Sequence, residues 1–415
     1  MSRHLLVVGG SMAGLRAAEQ VRKEGFAGRI TVVSQERHMP YNRPPLSKDV
    51  LARHGSDTSP EEWHSSVAFR LRASVADVEW RLGVTATASD LATQTVTLDD
   101  GSEVRYDGLV AATGLRPRRL SIPGPAAGRH VIRTLDDAVR LRAALRPGAR
   151  VVIVGAGFIG CEVAATARTL RCEVDVVEPA SAPMVRPLGV PLGSALQRYH
   201  EQRGVRFHLG RTVAFTAGPG GTHDTAAALA GVVLDDGTRL PADVLVESVG
   251  SHANTEWLAG NGLDLADGLL CDNWLRVEGR SDLVAVGDIA RFPNPSVDGI
   301  PRRIEHWCVP TDTAKRAART ITARLDGRPL DDDVFAPLPS FWSDQFDLRL
   351  QGYGAPGLGD HSELLEGTLH GAAAGEPTAV GYLRNDHLVG VVLVGIPPAQ
   401  HHRYRALVGT ACVPA

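Results

Sequence analysis

One internal repeat restricts the folds open to this chain. Leu98-Asp99-Asp100-Gly101, followed by Val104, Asp107, Leu109 and Val110, recurs as Leu234-Asp235-Asp236-Gly237, followed by Leu240, Asp243, Leu245 and Val246. Every pair is 136 residues apart, and Gly114 maps onto Gly250 with the same offset. Each Asp-Gly supplies the positive φ of a tight hairpin turn. Upstream of each copy lies a glycine-rich turn, Gly9–Gly14 and Gly155–Gly160, now 146 residues apart, so a loop is longer in one copy. The pattern reads as two copies of one nucleotide-binding module.

Each copy opens alike. His4 to Val8 and Val151 to Val154 are short apolar strands that run into the glycine turns. In the second copy Ile159, Val163, Ala167 and Leu170 recur at helical spacing, which predicts one apolar face against a sheet. Second strands follow at Arg29–Val33 and Glu173–Val177. Strand, glycine turn, helix and strand in this order make the βαβ unit. Farther on, Asp282–Val286 reads as a buried strand ending in Gly287-Asp288, and a helix is predicted over roughly residues 311–325. Gly327, Pro329 and Asp331–Asp333 mark a boundary. Beyond it, Val380–Leu383 and Leu388–Leu393 predict a β-hairpin in a separate α+β domain.

A length of 415 residues suits two to three domains. A net charge of −3 does not point to nucleic acid. Cys161, Cys172, Cys271, Cys308 and Cys412 are scattered and odd in number, a poor disulfide framework that suits the reducing cytoplasm. They show no zinc-type spacing, so no metal site is expected. The N-terminal apolar run is too short for a signal peptide, and Leu388–Ile396 is far too short to span a bilayer, so no membrane association is expected. Of 44 basic residues only Lys23, Lys48 and Lys315 are lysines, which reflects genome composition and directs attention to where lysine is kept.

The second turn, Gly155-Ala156-Gly157-Phe158-Ile159-Gly160, is complete. Its first glycine permits the tight turn, its second lets backbone approach a pyrophosphate, and its third allows close packing of helix on strand. Glu178, 18 residues after Gly160, is placed to accept hydrogen bonds from ribose hydroxyls and to repel a 2′-phosphate, which favours NADH over NADPH. The first turn, Gly9-Gly10-Ser11-Met12-Ala13-Gly14, has Ser11 in the middle glycine position, and Glu36 is its candidate ribose acceptor. Two dinucleotide modules suggest two dinucleotides. With NADH as one, the other is most simply FAD, an acceptor for its hydride. Asp288, at the C-terminal end of a predicted strand, is a candidate for the flavin ribityl chain, the other reading being an Asx turn.

The stretch Pro40-Tyr41-Asn42-Arg43-Pro44-Pro45-Leu46-Ser47-Lys48 resembles the signature loop of FAD-dependent, NADH-using ferredoxin reductases, the group that includes the reductases of aromatic-ring dioxygenases. Further landmarks of that family follow in order: Ala112-Thr113-Gly114, Gly155–Glu162, Val249-Gly250 with Asn254, Gly287-Asp288, Glu305-His306-Trp307 and Pro339–Asp347. The resemblance covers essentially the whole chain. It implies a glutathione-reductase-like α/β fold with two duplicated Rossmann-like dinucleotide-binding domains and a C-terminal α+β interface domain. The FAD-binding domain is expected at 1–113 and 246–328, the NADH-binding domain at 114–245 and the C-terminal domain at 329–415.

By the same resemblance, Lys48 lies near flavin N5, and Glu162 pairs with it and helps seat the nicotinamide; these are the two residues expected to serve the chemistry. Trp307 packs near the isoalloxazine, Arg43 meets the flavin or its phosphates, and Trp342 and Phe346 close over the flavin side or shape the partner surface. FAD contacts are expected from Gly9, Ser11, Met12, Ala13, Gly14, Glu36, Arg43, Lys48, Ala112, Thr113, Gly114, Asp288, Glu305, His306 and Trp307. NAD contacts are expected from Gly155, Gly157, Phe158, Ile159, Gly160, Glu178 and Gly250.

The chain departs from the family after Trp307. Where many members read Trp-Ser-x-Ala-x-x-Gln-Gly, it has Trp307-Cys308-Val309-Pro310-Thr311-Asp312-Thr313-Ala314. Pro310 is compatible with a helix start, Thr313 and Ala314 alter the usual contacts, and Cys308 reads as a structural cysteine. The region Met39–Lys48 has no cysteine, which excludes on that loop the dithiol chemistry of related disulfide reductases. The expected function is an NADH-dependent flavoprotein reductase that passes electrons through FAD to a [2Fe–2S] ferredoxin serving an oxygenase such as a cytochrome P450. Docking on an arginine patch is expected to be transient and salt-sensitive, and the protein to be a monomer or weak homodimer. The alternatives are an NADH oxidase or quinone reductase acting without ferredoxin, and a slow-turnover signalling flavoprotein.

Overall fold

A computed structural model describes residues 3–53, 55 and 58–409; Cys412 and the extreme ends of the first and last expected domains lie outside it. The chain divides into two compact units. The first comprises Met1–Asn42, Ala68–Arg116 and His252–Ser340, the second Arg43–Val67, Pro117–Ser251 and Phe341–Ala415.

The first unit is built on a five-stranded parallel sheet in the order Leu283–Ala285, Gly108–Ala111, His4–Val8, Arg29–Ser34, Glu79–Leu82. Apart from the edge strand Glu79–Leu82, which is charged and only partly buried, its strands are largely apolar and buried, as expected of parallel strands covered on both faces. The helices Met12–Lys23 and Val309–Asp326 join its core through Leu15, Ala18, Val21, Ala317 and Ile321. The second unit has a matching parallel sheet in the order Val205–Leu209, Glu173–Glu178, Arg150–Val154, Val244–Glu247, Arg129–His130. It also contains an antiparallel sheet in the order Ser340–Gln345, Leu348–Gly354, His387–Val394, Thr378–Arg384, His361–Glu366.

The repeat is exact in its hydrogen bonding. Each Asp-Asp-Gly turns a hairpin: Gly101 N–H donates to Leu98 O and Gly237 N–H to Leu234 O, both at 3.0 Å. Asp107 accepts the His4 amide on its carboxylate at 2.6 Å, and Asp243 accepts the Arg150 amide at 2.9 Å. Each aspartate amide returns the bond to the same partner's carbonyl. Gly114 and Gly250 both have positive φ, 60° and 95°.

Three expectations are corrected. The long helix starts at Val309, two residues early, because Pro310 occupies its first turn, where a missing N–H costs nothing. The hairpin strands are longer, Thr378–Arg384 and His387–Val394, because Asn385 and Asp386 take φ of 50° and 61° and form a two-residue turn. The strand Leu283–Ala285 is shorter than expected because Gly287 turns the chain at φ 79°.

Candidate functional site

In the first unit three loops meet at the ends of parallel strands. A Cβ on Gly9 would lie 2.2 Å from Ala112 O, one on Gly14 1.9 Å from Gly9 O, and one on Gly287 2.9 Å from Ala13 Cβ. Glycine at each position lets the Gly9–Gly14 turn, the Ala112–Gly114 loop and the Gly287–Ile289 turn pack together. Asn254 clamps the second of these: its side chain donates to Thr113 O at 2.9 Å, its amide donates to Gly114 O at 3.0 Å, and its carbonyl accepts from Thr113 Oγ1 at 2.6 Å.

The second unit repeats this turn. A Cβ on Gly155 would lie 2.3 Å from Ser248 O, and one on Gly160 2.0 Å from Gly155 O. Gly157 has open space where a Cβ would stand. Its backbone (φ −73°, ψ −175°) matches that of Ser11 (φ −94°, ψ −163°), so the serine breaks no conformational requirement of the first turn.

Two other helix starts are closed by capping boxes, Ser59 with Glu62 and Thr134 with Asp137, while Val185–Glu201 and His401–Leu407 have no side-chain cap but follow no glycine turn. The helices Met12–Lys23 and Phe158–Thr169 have neither a side-chain cap nor an acidic residue in the first turn. Their first amides are left for an anion, and the helix dipole favours one. Both turns therefore fit a pyrophosphate.

The carboxylates beyond the second strands differ. Glu178 accepts the amides of Ala156 at 2.7 Å and Ala180 at 2.9 Å, so it also braces the glycine turn. Glu36 accepts a hydrogen bond from Tyr41 of the signature loop. Met12 and Ala13 are buried beneath the first turn. Ile159 is 45% exposed and does not join the inward helix face, which is Gly160, Val163, Ala164 and Ala167. The expected stripe is thus displaced, because Gly160, without a side chain, makes the closest approach.

Lys48 and Glu162 form a buried pair in the second unit, Nζ to Oε2 at 2.7 Å, with side chains 12% and 5% exposed. Lys48 also donates to Pro44 O at 3.1 Å, and Ser47 Oγ donates to Glu162 Oε2 at 2.6 Å. Ser343 Oγ donates to Glu162 Oε1 at 2.6 Å, a partner no sequence pattern indicated. Arg43 donates to Arg133 O at 2.7 Å. Phe158 packs against Phe341 with ring centroids 5.0 Å apart. Phe346 lies 5.2 Å from the His200 ring and 6.2 Å from Tyr199, among aromatic neighbours. Trp342, next to Phe341 in the strand Ser340–Gln345, is partly buried.

In the first unit, Trp307 is 40% exposed and its indole N–H donates to Asn42 Oδ1 at 2.9 Å. Glu305 pairs with Arg303 at 2.8 Å. Burial pushes the His306 imidazole down to about 4, so it is neutral at neutral pH. Arg303 also donates to Asp288 O at 3.4 Å. Thr313, which replaces a family residue, is buried and accepts the Gly287 amide at 2.9 Å, tying the helix to the Gly287-Asp288 turn. Cys308 is partly buried and exchanges 3.4 Å hydrogen bonds with Ser340 backbone, a structural role. Burial raises the thiol pKa of Cys161, Cys172 and Cys271, which makes them poor nucleophiles. Among the described residues no cluster could hold a metal ion, and no helix is long and apolar enough to cross a membrane.

Two family models match the chain: pyridine nucleotide-disulphide oxidoreductase over residues 3–314 and reductase C-terminal over 340–414. The chain is 35% identical over 408 residues to a probable ferredoxin reductase of Castellaniella defragrans, covering 95% of this chain and 91% of that protein. It is 36% identical over 366 residues to the ferredoxin--NAD(+) reductase component of the anthranilate 1,2-dioxygenase system of Burkholderia cepacia, covering 85% and 82%. Among solved structures, the covalent putidaredoxin reductase–putidaredoxin complex matches with a TM-score of 0.85 at 29% identity, covering 98% of this chain and 93% of that one. The ferredoxin reductase for the CYP199A2 system from Rhodopseudomonas palustris matches with a TM-score of 0.84 at 33% identity, covering 96% and 92%. With its two glycine turns, its paired parallel sheets and these matches along nearly its whole length, the chain belongs to the pyridine nucleotide-disulphide oxidoreductase family.

Proposed function

We propose that this protein is an NADH-dependent flavoprotein reductase that passes electrons from NADH through FAD to a ferredoxin. The observation that carries the reading is the repeated glycine turn, followed each time by an uncapped helix free of acidic first-turn residues. Two such turns suit two pyrophosphates. FAD, when bound, takes a hydride from NADH and returns electrons singly, which matches a two-electron donor to a one-electron acceptor.

We assign FAD to residues 1–113 and 246–328, NADH to 114–245, and the C-terminal domain to 329–415. Glu178 reads the adenosine ribose of NADH and Glu36 the adenosine ribose of FAD. Lys48 and Glu162 serve the hydride step: the ammonium offers a compact positive charge, and the carboxylate fixes where it stands. The ferredoxin reductase names of the relatives support the acceptor class. The finer reading is a [2Fe–2S] ferredoxin, in a cytoplasmic protein that is a monomer or weak homodimer. Nothing in the departure after Trp307 favours the oxidase alternative, since the helix start survives and Thr313 satisfies the Gly287 amide.

The test is anaerobic stopped-flow. NADH should bleach the flavin faster than NADPH does, and mixing with ferredoxin should restore the flavin absorbance. Oxygen-dependent turnover without ferredoxin at a comparable rate would overturn the assignment of the acceptor.

A further inference from the structure

A buried polar chain runs away from the Lys48–Glu162 pair, all of it in the second unit. In the strand Ser340–Gln345 alternate residues face inward, so Phe341, Ser343 and Gln345 share one face. In the helix Phe158–Thr169, Phe158 and Glu162 are four residues apart and also share a face. Phe341 meets Phe158, and Ser343 meets Glu162. Gln345 Nε2 donates to Ser343 Oγ at 3.0 Å and to Met184 Sδ at 3.5 Å. Its Oε1 lies 2.7 Å from His200 Nε2. Ser343, Gln345 and His200 are all fully buried.

Every proton in this chain has a fixed direction. A carboxylate only accepts, so Ser343 donates to Glu162 and must accept from Gln345. The Gln345 amide oxygen then accepts from His200 Nε2–H, which leaves Nδ1 unprotonated. Nδ1 has no hydrogen-bond partner among the described residues. Each link turns its positive end toward Glu162. The titratable groups facing that carboxylate are Lys48 and Cys161, and Arg203 lies near His200 at the far end.

We propose that Ser343, backed by Gln345 and His200, is a positioning residue: it orients the Glu162 carboxylate so that Oε2 meets Lys48, and through it the C-terminal sheet sets the rate of flavin reduction. This rests on the reading of Lys48 and Glu162 as the pair serving the hydride step. A carboxylate rotated away from Lys48 would leave the ammonium free to follow Pro44 O, and small misplacements of catalytic groups cost much rate.

The test uses the full, FAD-loaded chain. Ser343→Ala should lower the limiting rate of reduction by NADH by about tenfold while the apparent Kd for NADH stays within about twofold. A second readout needs no turnover. The fall in melting temperature caused by Ser343→Ala should shrink by about half or more in a Glu162→Met background, because the hydroxyl then has no carboxylate to hold. Additive melting shifts, or a weaker Kd at an unchanged limiting rate, would overturn the proposal. Should Ser343→Ala not fold, Gln345→Leu should slow reduction in the same direction, and an unchanged limiting rate would overturn it equally. If the native protein is not reduced by NADH, the parent reading fails, and the melting cycle alone decides whether Ser343 orients Glu162.

Discussion

Lys48 Nζ lies 2.7 Å from Glu162 Oε2, and both side chains are nearly out of water. A buried ion pair is not a large net stabiliser, because desolvation offsets most of the attraction. Removing one partner is costly, since the other charge is left buried. Glu162→Gln and Lys48→Met should each destabilise the fold by roughly 3 kcal/mol. The double variant should recover part of that loss. Urea unfolding of the three variants checks this; full additivity would mean that the pair does not interact energetically.

The glycines separate fold from ligand. Gly14→Ala and Gly160→Ala push a Cβ onto a carbonyl oxygen at 1.9 Å and 2.0 Å, so the turns must open. Gly14→Ala should be purified with little FAD, and Gly160→Ala should keep FAD but bind NADH weakly. Gly157→Ala meets open space, so its stability should stay within about 0.5 kcal/mol of the parent. NADH affinity should still fall, because the methyl group occupies the approach to the backbone. Unchanged affinity, read by titration, would remove Gly157 from the NADH site.

Thr313 accepts the buried Gly287 amide. Thr313→Val keeps the shape and loses the acceptor, at a cost of about 1–3 kcal/mol for the stranded N–H. FAD retention should fall with it, and Thr313→Ser should restore both. Chemical unfolding together with the flavin-to-protein absorbance ratio reads the two effects.

His200 is buried, and burial lowers its pKa to about 4 from the ordinary 6.5. Between those values the unfolded chain binds a proton that the folded chain refuses. The contribution of His200 is therefore fully present above pH 6.5 and is lost as pH falls toward 4. The slope is up to ~1.4 kcal/mol per pH unit for one such group. His200→Gln should flatten stability against pH by that amount across this window. Urea midpoints at several pH values decide; an unchanged slope would show that His200 does not titrate this way.

Much of the fold was legible because its determinants are local. Asp-Gly turns, apolar strands and glycine turns act through backbone sterics over a few residues, so the 136-residue repeat reappears as the paired bonds of Asp107 with His4 and of Asp243 with Arg150. Ile159 misled because helical spacing alone does not say which face a side-chain-free Gly160 presses inward.

The amino-acid sequence by itself determined the two glycine turns, the cysteine-free signature loop and the family. Only the tertiary structure decided how Glu162 is held. Ser343 is 181 residues from Glu162, and His200 is 145 residues from Gln345. No local periodicity links them: hydrogen bonds between distant elements arise only when packing excludes water and each buried polar group must find a partner inside the protein. Thr313 follows the same logic. It reads as a departure from the family pattern, and the fold makes it the acceptor that the Gly287 amide needs.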